Sequence, residues 1–200
     1  MSSKVEHLRC TAVTKEETAC IHMVYIPFYE GESSQINTIK GVSDVKVTEY
    51  KTRLTDEGRA VLEKEVSVYI PELDRKFRSP DQAVKFARKY LHMHEQTEEY
   101  LYMVCLNTKL DFIGVFELSH GNVNSSIFSI REMFQKALLA NAVSVMLMHN
   151  HPSGDPTPSR EDIKVTERAV KAGELLGVEV IDHIIVGNPH YTSLREKGYI

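Results

Sequence analysis

Two stretches of this chain are apolar almost from end to end, YLYMVCL at Tyr100–Leu106 and VSVMLMH at residues 143–149. Neither alternates with polar residues, so each reads as a strand buried on both faces, and both faces then need a covering layer. The surrounding text supplies helices for those layers. SPDQAVKFARKYL offers Ser79 as N-cap, Pro80 at the first helical position and Gln82 three residues after the cap. Ala83, Val84, Ala87, Tyr90 and Leu91 continue at helical spacing, which predicts a helix to about Gln96. Ile130, Met133, Phe134, Ala137 and Leu138 mark a second helix ending near Asn141. Ser159 opens a third, running to about Leu176 and stopped by Gly177. Further strands are expected at residues 111–118, as hairpin partner of the first run, and at 178–186, with SHGN at 119–122 as a loop. Helices alternating with strands mean an α/β domain over residues 79–200.

Residues 1–78 form a separate, β-rich N-terminal region whose role the sequence leaves open. Apolar runs at 21–29, 45–50 and 66–70 read as strands, and 55–65 as a short helix.

Bulk properties narrow the function classes. With 42% hydrophobic and 26% charged residues the chain is an ordinary globular protein. A net charge of −4 gives nucleic acid no overall attraction. No run approaches the roughly 18 apolar residues of a membrane span, and MSSKVEHLRC lacks the apolar core of a secretory signal. The 3 cysteines are irregularly spaced with no CxxC pair, which fits a cytoplasmic protein without disulfides or a cysteine zinc site.

The second apolar run ends in HNHPSGDPTPSRED. Residues i and i+2 of a strand point to the same side, so His149 and His151 can aim both imidazoles at one point. Pro152, Pro156 and Pro158 stiffen the returning loop, and Gly154 permits a tight bend. Asp162 follows the helix cap by three residues and would face the histidines from the first turn. Two imidazoles, one carboxylate and a water make an open zinc site of the catalytic kind. Ser159 and Asp162 also have a plainer use, as an N-cap and an acid at the positive end of a helix.

The order glutamate, HxH, seven residues, serine, two residues, aspartate resembles the JAMM motif of the JAB/MPN metalloproteases. SIREMFQKALLANAVSVMLMHNHPSGDPTPSRED, VIDHIIVG and YTSLREKGYI resemble the RadC (UPF0758) branch of that superfamily. The resemblance covers about residues 79–200. It implies a mixed sheet flanked by helices, similar to the cytidine deaminases, with one zinc per chain on His149, His151 and Asp162. It implies that Ser159 helps hold an oxyanion, and that a glutamate between a helix and the first strand serves as general base. Glu99 occupies that place; Glu117 on the hairpin strand is the rival, and Glu98 lies one register slip away. The activity implied is hydrolysis of a peptide or isopeptide bond in a peptide or protein substrate. The mechanism implied is attack by a zinc-activated water whose proton Glu99 takes and returns to the leaving amine.

Other residues read more plainly. His183 lies in an apolar strand and is expected to be a core histidine or a partner of a ligand. His92 and His94, two apart on a helix, should diverge. His120 sits near the hairpin end, and Asp155 is a turn acid. Arg131 and Glu132 suit an ion pair or a helix start, and Lys85, Arg88 and Lys89 a solvated helix face. A nucleic-acid role rests on the repair label attached to RadC proteins and on the letters HNH. HNH nucleases spread those residues over a longer site, and residues 1–78 show no helix-hairpin-helix module. A zinc deaminase would need H-x-E and P-C-x-x-C, which are absent. A non-catalytic MPN scaffold is a further alternative, though the ligand set is intact. Substrate identity and oligomeric state are not written in the sequence.

Overall fold

The computed structural model describes residues 45–70, 76–121 and 128–200, and these described residues belong to one compact unit. The strand expected at 21–29 lies outside the described residues. Seven described strands form one mixed sheet: β1 (Val45–Leu54), β2 (Ala60–Ile70), β3 (Tyr100–Leu106), β4 (Phe112–His120), β5 (Ser144–Asn150), β6 (Glu179–Val186) and β7 (Tyr191–Ser193). Their spatial order is β2-β1-β4-β3-β5-β6-β7. β5 and β6 are parallel, joined by a helical crossover, whereas β3 runs antiparallel to both β4 and β5.

Three helices cover the sheet: α1 (Pro80–Lys89), α2 (Ile130–Leu139) and α3 (Arg160–Leu176). The pleat decides which residues meet which layer. Tyr102, Val104, Leu106, Met146 and Met148 pack with Ala83, Val84, Phe86 and Ala87 of α1. Leu101, Met103, Cys105, Val145 and Leu147 pack with Met133, Phe134 and Ala137 of α2 and Val165 and Ala169 of α3. Both faces of β3 and β5 are buried, as their unbroken apolar text requires.

Several expectations are corrected. Residues 55–65 are not a helix. Thr55 and Arg59 close a turn, with Thr55 N–H donating to Arg59 O at 2.8 Å and Gly58 in the left-handed region at φ +74°. β2 begins directly afterwards and pairs with β1 along its length. The polar DEG triplet breaks the helical stripe, and only glycine takes that φ without strain. α1 ends at Lys89 rather than near Gln96. Leu91 and Met93 are both buried, and an α-helix would turn residues two apart away from each other. The chain instead takes a left-handed step at His92 and a single 3-10 turn at Met93–Glu95. β4 continues through Ser119 and His120, which pair with Leu101 and Tyr100, so the first half of the expected SHGN loop is strand. β1–β2 join the same sheet, with Glu49 of β1 paired to Val115 of β4.

Candidate metal centre

β5 carries its apolar residues through Leu147 and Met148 and then delivers His149 and Asn150, both buried, at the carboxyl end of the strand. His151 follows, its N–H bonded to Val186 O at 3.2 Å, so the extended geometry persists one residue past the strand. His149 and His151 therefore project to the α3 side of the sheet. The loop returns through Gly154, whose N–H bonds His151 O at 2.9 Å. Ser159 then caps α3 in a reciprocal capping box with Asp162.

One ligand atom from each of His149, His151 and Asp162 lies within 4.8 Å of the others, so the group could hold a metal ion. His149 Nε2 is 3.0 Å from His151 Nε2 and 3.5 Å from Asp162 Oδ1, and His151 Nε2 is 3.6 Å from Asp162 Oδ2. His149 and Asp162 are buried while His151 is partly open, so the donors converge with one side toward solvent. Two imidazoles and a carboxylate suit a borderline divalent cation and leave room for a further ligand.

Burial and the Asp162 carboxylate set the electrostatics of the group. Burial pushes the His149 imidazole down to about 4, against the pull of Asp162. The Asp162 hydrogen bond raises His151 above its ordinary value, with smaller help from the Asp155 carbonyl and from the charge of Glu99. Burial alone would push the Asp162 carboxyl up. The His151 bond, the His149 ring and the bonds from Ser159 together hold it well below the usual carboxylate range.

Each of the three candidate ligands has an outer partner. His151 Nδ1 donates to Asp155 O at 2.7 Å, which leaves Nε2 facing the group. Asp162 Oδ2 accepts from both N–H and Oγ–H of Ser159 at 2.7 Å. His149 Nδ1 meets His183 Nε2 at 2.8 Å, and His183 Nδ1 meets Thr166 Oγ1 at 2.6 Å.

Glu99 stands just before β3. Leu101 pairs with His149, and counting that antiparallel register on by two residues sets Glu99 across from His151 on the same face. Asn150 brackets it: Oδ1 accepts from Tyr100 N–H at 2.8 Å and Nδ2 donates to Glu98 O at 2.9 Å. Glu117 pairs instead with Tyr102, whose side chain joins the core under α1, and its carboxylate meets His120 Nδ1 at 2.5 Å. The Glu98 side chain is exposed, with its carboxylate beside Gly121.

The remaining side chains fall away from the group. His92 leads into the 3-10 turn and His94 sits on it, neither on α1, and both reach Glu95, at 3.6 and 3.3 Å. Asp155 folds a turn by accepting from Thr157 N–H and Oγ–H. Arg88 is not on a solvated face; it donates to the carbonyls of Gly187, Pro189 and His190 across the sheet edge. Sequence reasoning passed over Asn150 and Thr166. Asn150 is a polar residue inside an apolar strand, and Thr166 lies four residues after Asp162 on the buried face of α3, so both left a readable trace.

Residues 77–199 match the family described as RadC-like JAB domain. The chain is 42% identical over 139 residues to a UPF0758 protein of Methanosarcina barkeri, covering 70% of this chain and 60% of that protein. It is 38% identical over 167 residues to one from Methanococcoides burtonii, covering 84% of this chain and 69% of that protein. A UPF0758 protein of Desulforamulus reducens is 40% identical over 168 residues, covering 83% of this chain and 70% of its own length. The match thus spans about three fifths of the Methanosarcina relative.

Proposed function

The chain belongs to the RadC-like JAB domain family, and from that premise we propose that it is a zinc-dependent hydrolase of peptide or isopeptide bonds. The observation that carries this reading is the convergence of His149, His151 and Asp162 donors within 4.8 Å at a strand end, with Glu99 in register beside them. Zinc is the proposed ion, one per chain, because two neutral imidazoles and one carboxylate are its usual open ligand set. Bound there, it would lower the pKa of a coordinated water toward about 7 and polarise a carbonyl.

The chain's own residues would do the rest. Glu99 accepts the proton of the attacking water and delivers it to the departing amine. The Ser159 hydroxyl turns from Asp162 toward the developing oxyanion and shares its charge. Asp162 and His149, both buried, would hold the ion without competition from bulk water, while the partly open His151 would mark the side from which substrate approaches. The substrate is a peptide or protein, and no helix among the described residues is long and apolar enough to cross a membrane.

Elemental analysis of the purified full chain beside Asp162→Asn tests the reading. About one zinc per wild-type chain, lost in the variant, is the expected result. Glu99→Gln should keep the zinc and lose turnover on peptide and isopeptide substrates. No zinc in either protein after zinc is supplied would overturn the proposal and leave a scaffold.

A further inference from the structure

His183 is the one fully buried histidine that touches the metal group without belonging to it among the described residues. It sits on β6, paired with Leu147, and faces α3. Thr166 is also fully buried, one turn beyond Asp162. Three contacts link them in series. Thr166 Oγ1 lies 2.6 Å from Asp162 O, His183 Nδ1 lies 2.6 Å from Thr166 Oγ1, and His183 Nε2 lies 2.8 Å from His149 Nδ1.

The direction of every bond in this series follows from its first member. A carbonyl oxygen cannot donate, so at 2.6 Å the single hydroxyl proton of Thr166 lies on the line to Asp162 O. Thr166 Oγ1 can then only accept from His183, which puts the His183 proton on Nδ1. His183 is wholly buried, and neither of its ring contacts is an anion, so it is neutral with one N–H. Its Nε2 is bare and accepts from His149 Nδ1–H. His149 in turn has its N–H on the far side and a bare Nε2 aimed at His151 and Asp162.

We propose that Thr166 and His183 are positioning residues that hold His149 as its Nδ1–H tautomer, so that Nε2 is a ready metal ligand before any ion arrives. The inference rests on the reading of His149 as a ligand. Without the relay, an isolated imidazole prefers no such orientation, and Nε2–H would block the very atom that must coordinate. A hydrogen bond to the outer nitrogen also raises the basicity of the inner one.

The relay can be read in the metal-free, 15N-labelled full chain by two-bond proton–nitrogen correlation of the imidazole rings. His149 and His183 should both show the Nδ1–H pattern; an Nε2–H pattern on His149 overturns the proposal with no variant needed. Thr166→Val keeps the shape and removes the hydroxyl, so His149 should gain Nε2–H character. Zinc affinity, measured by chelator competition with zinc alone, should weaken by about 10- to 100-fold. Thr166→Ser restores the hydroxyl and should restore both readouts. A purely structural Thr166 would lower the melting temperature of Thr166→Val while leaving tautomer and affinity at wild-type values, which also overturns the relay. In a wild-type chain that took up no zinc, the hydrolase reading would fall, and the tautomer spectrum would still decide the relay.

Discussion

Asp162 and Ser159 hold each other from both ends. Oδ2 of Asp162 accepts from the Ser159 N–H and Oγ–H at 2.7 Å each, and Asp162 N–H returns to Ser159 Oγ at 3.1 Å. The carboxylate that caps the helix is the same carboxylate that meets the two histidines, so the first turn of α3 aims it. Ser159→Ala removes two of the three bonds and should cost about 1 kcal/mol, or roughly 2–4 °C in melting temperature. Zinc uptake should survive, because the backbone bond to Oδ2 remains. If the hydroxyl also serves the oxyanion, turnover should fall by roughly 10²- to 10³-fold; unchanged turnover would confine Ser159 to the cap.

Asn150 fastens the two peptide groups on either side of Glu99 while its neighbours point to the opposite face. Asn150→Ala takes the partner from two part-buried backbone groups, Tyr100 N–H and Glu98 C=O, and should cost about 1–2 kcal/mol. Asn150→Asp should do no better, since a carboxylate can accept from Tyr100 but cannot donate to Glu98 O. Zinc content should stay at wild type in any variant that folds. Thermal melts and metal analysis of the two proteins check this, and a loss of zinc would show that Asn150 orders the histidines too.

Gly187 packs against the loop that carries the site. A Cβ there would lie 2.4 Å from Gly154 O and 2.9 Å from Pro156 Cδ, both in the chain between His151 and Ser159. Backbone cannot rotate aside, so Gly187→Ala should destabilise by about 1–3 kcal/mol and weaken zinc binding by moving Asp155 O, the partner of His151 Nδ1. Gly177→Ala is the control. Its Cβ meets nothing within 4 Å, and only its φ of +70° is strained. It should cost about 1 kcal/mol with zinc affinity unchanged.

The histidines should give the metal-free chain a stability maximum near their unfolded value of 6.5. His149, at about 4, and His183 are depressed by burial, so as pH falls below 6.5 the unfolded chain binds protons that the folded chain refuses. Stability is lost as pH falls from 6.5 to about 4, by about 3 kcal/mol over that whole span for His149 alone. His151 is raised by Asp162, so its contribution is complete below 6.5 and lost as pH rises through its folded value. Melting temperatures by circular dichroism from about pH 5 to about pH 8 should therefore fall on both sides. Zinc should remove the alkaline fall, because it displaces the His151 proton. A curve that climbs steadily with pH would count against the raised His151.

Much of the fold was legible because its signals are local. The unbroken apolar text of β3 and β5, the caps at Ser79 and Ser159 and the stop at Gly177 each follow from a few neighbouring residues, and the structure has them there. The failures came where two local preferences competed. Residues 55–65 contain helix formers, yet pairing with β1 and the left-handed Gly58 prevail. Tyr90 and Leu91 fit the helical stripe of α1, yet burial of both Leu91 and Met93 ends it early.

For the site, local sequence was enough to show that His149 and His151 share a face, that Asp162 opens the next helix, and that the loop between them is stiff. These follow from strand alternation and capping, which act over a few residues. Which distant residues meet them depends on how the strands pair. The pairing of β5 with β6 sets His183 against His149, and the antiparallel register of β3 and β5 sets Glu99 beside His151. Register is a sum of many weak contacts over two whole faces of a sheet, and a slip of one residue would turn Glu99 and His183 to the other side.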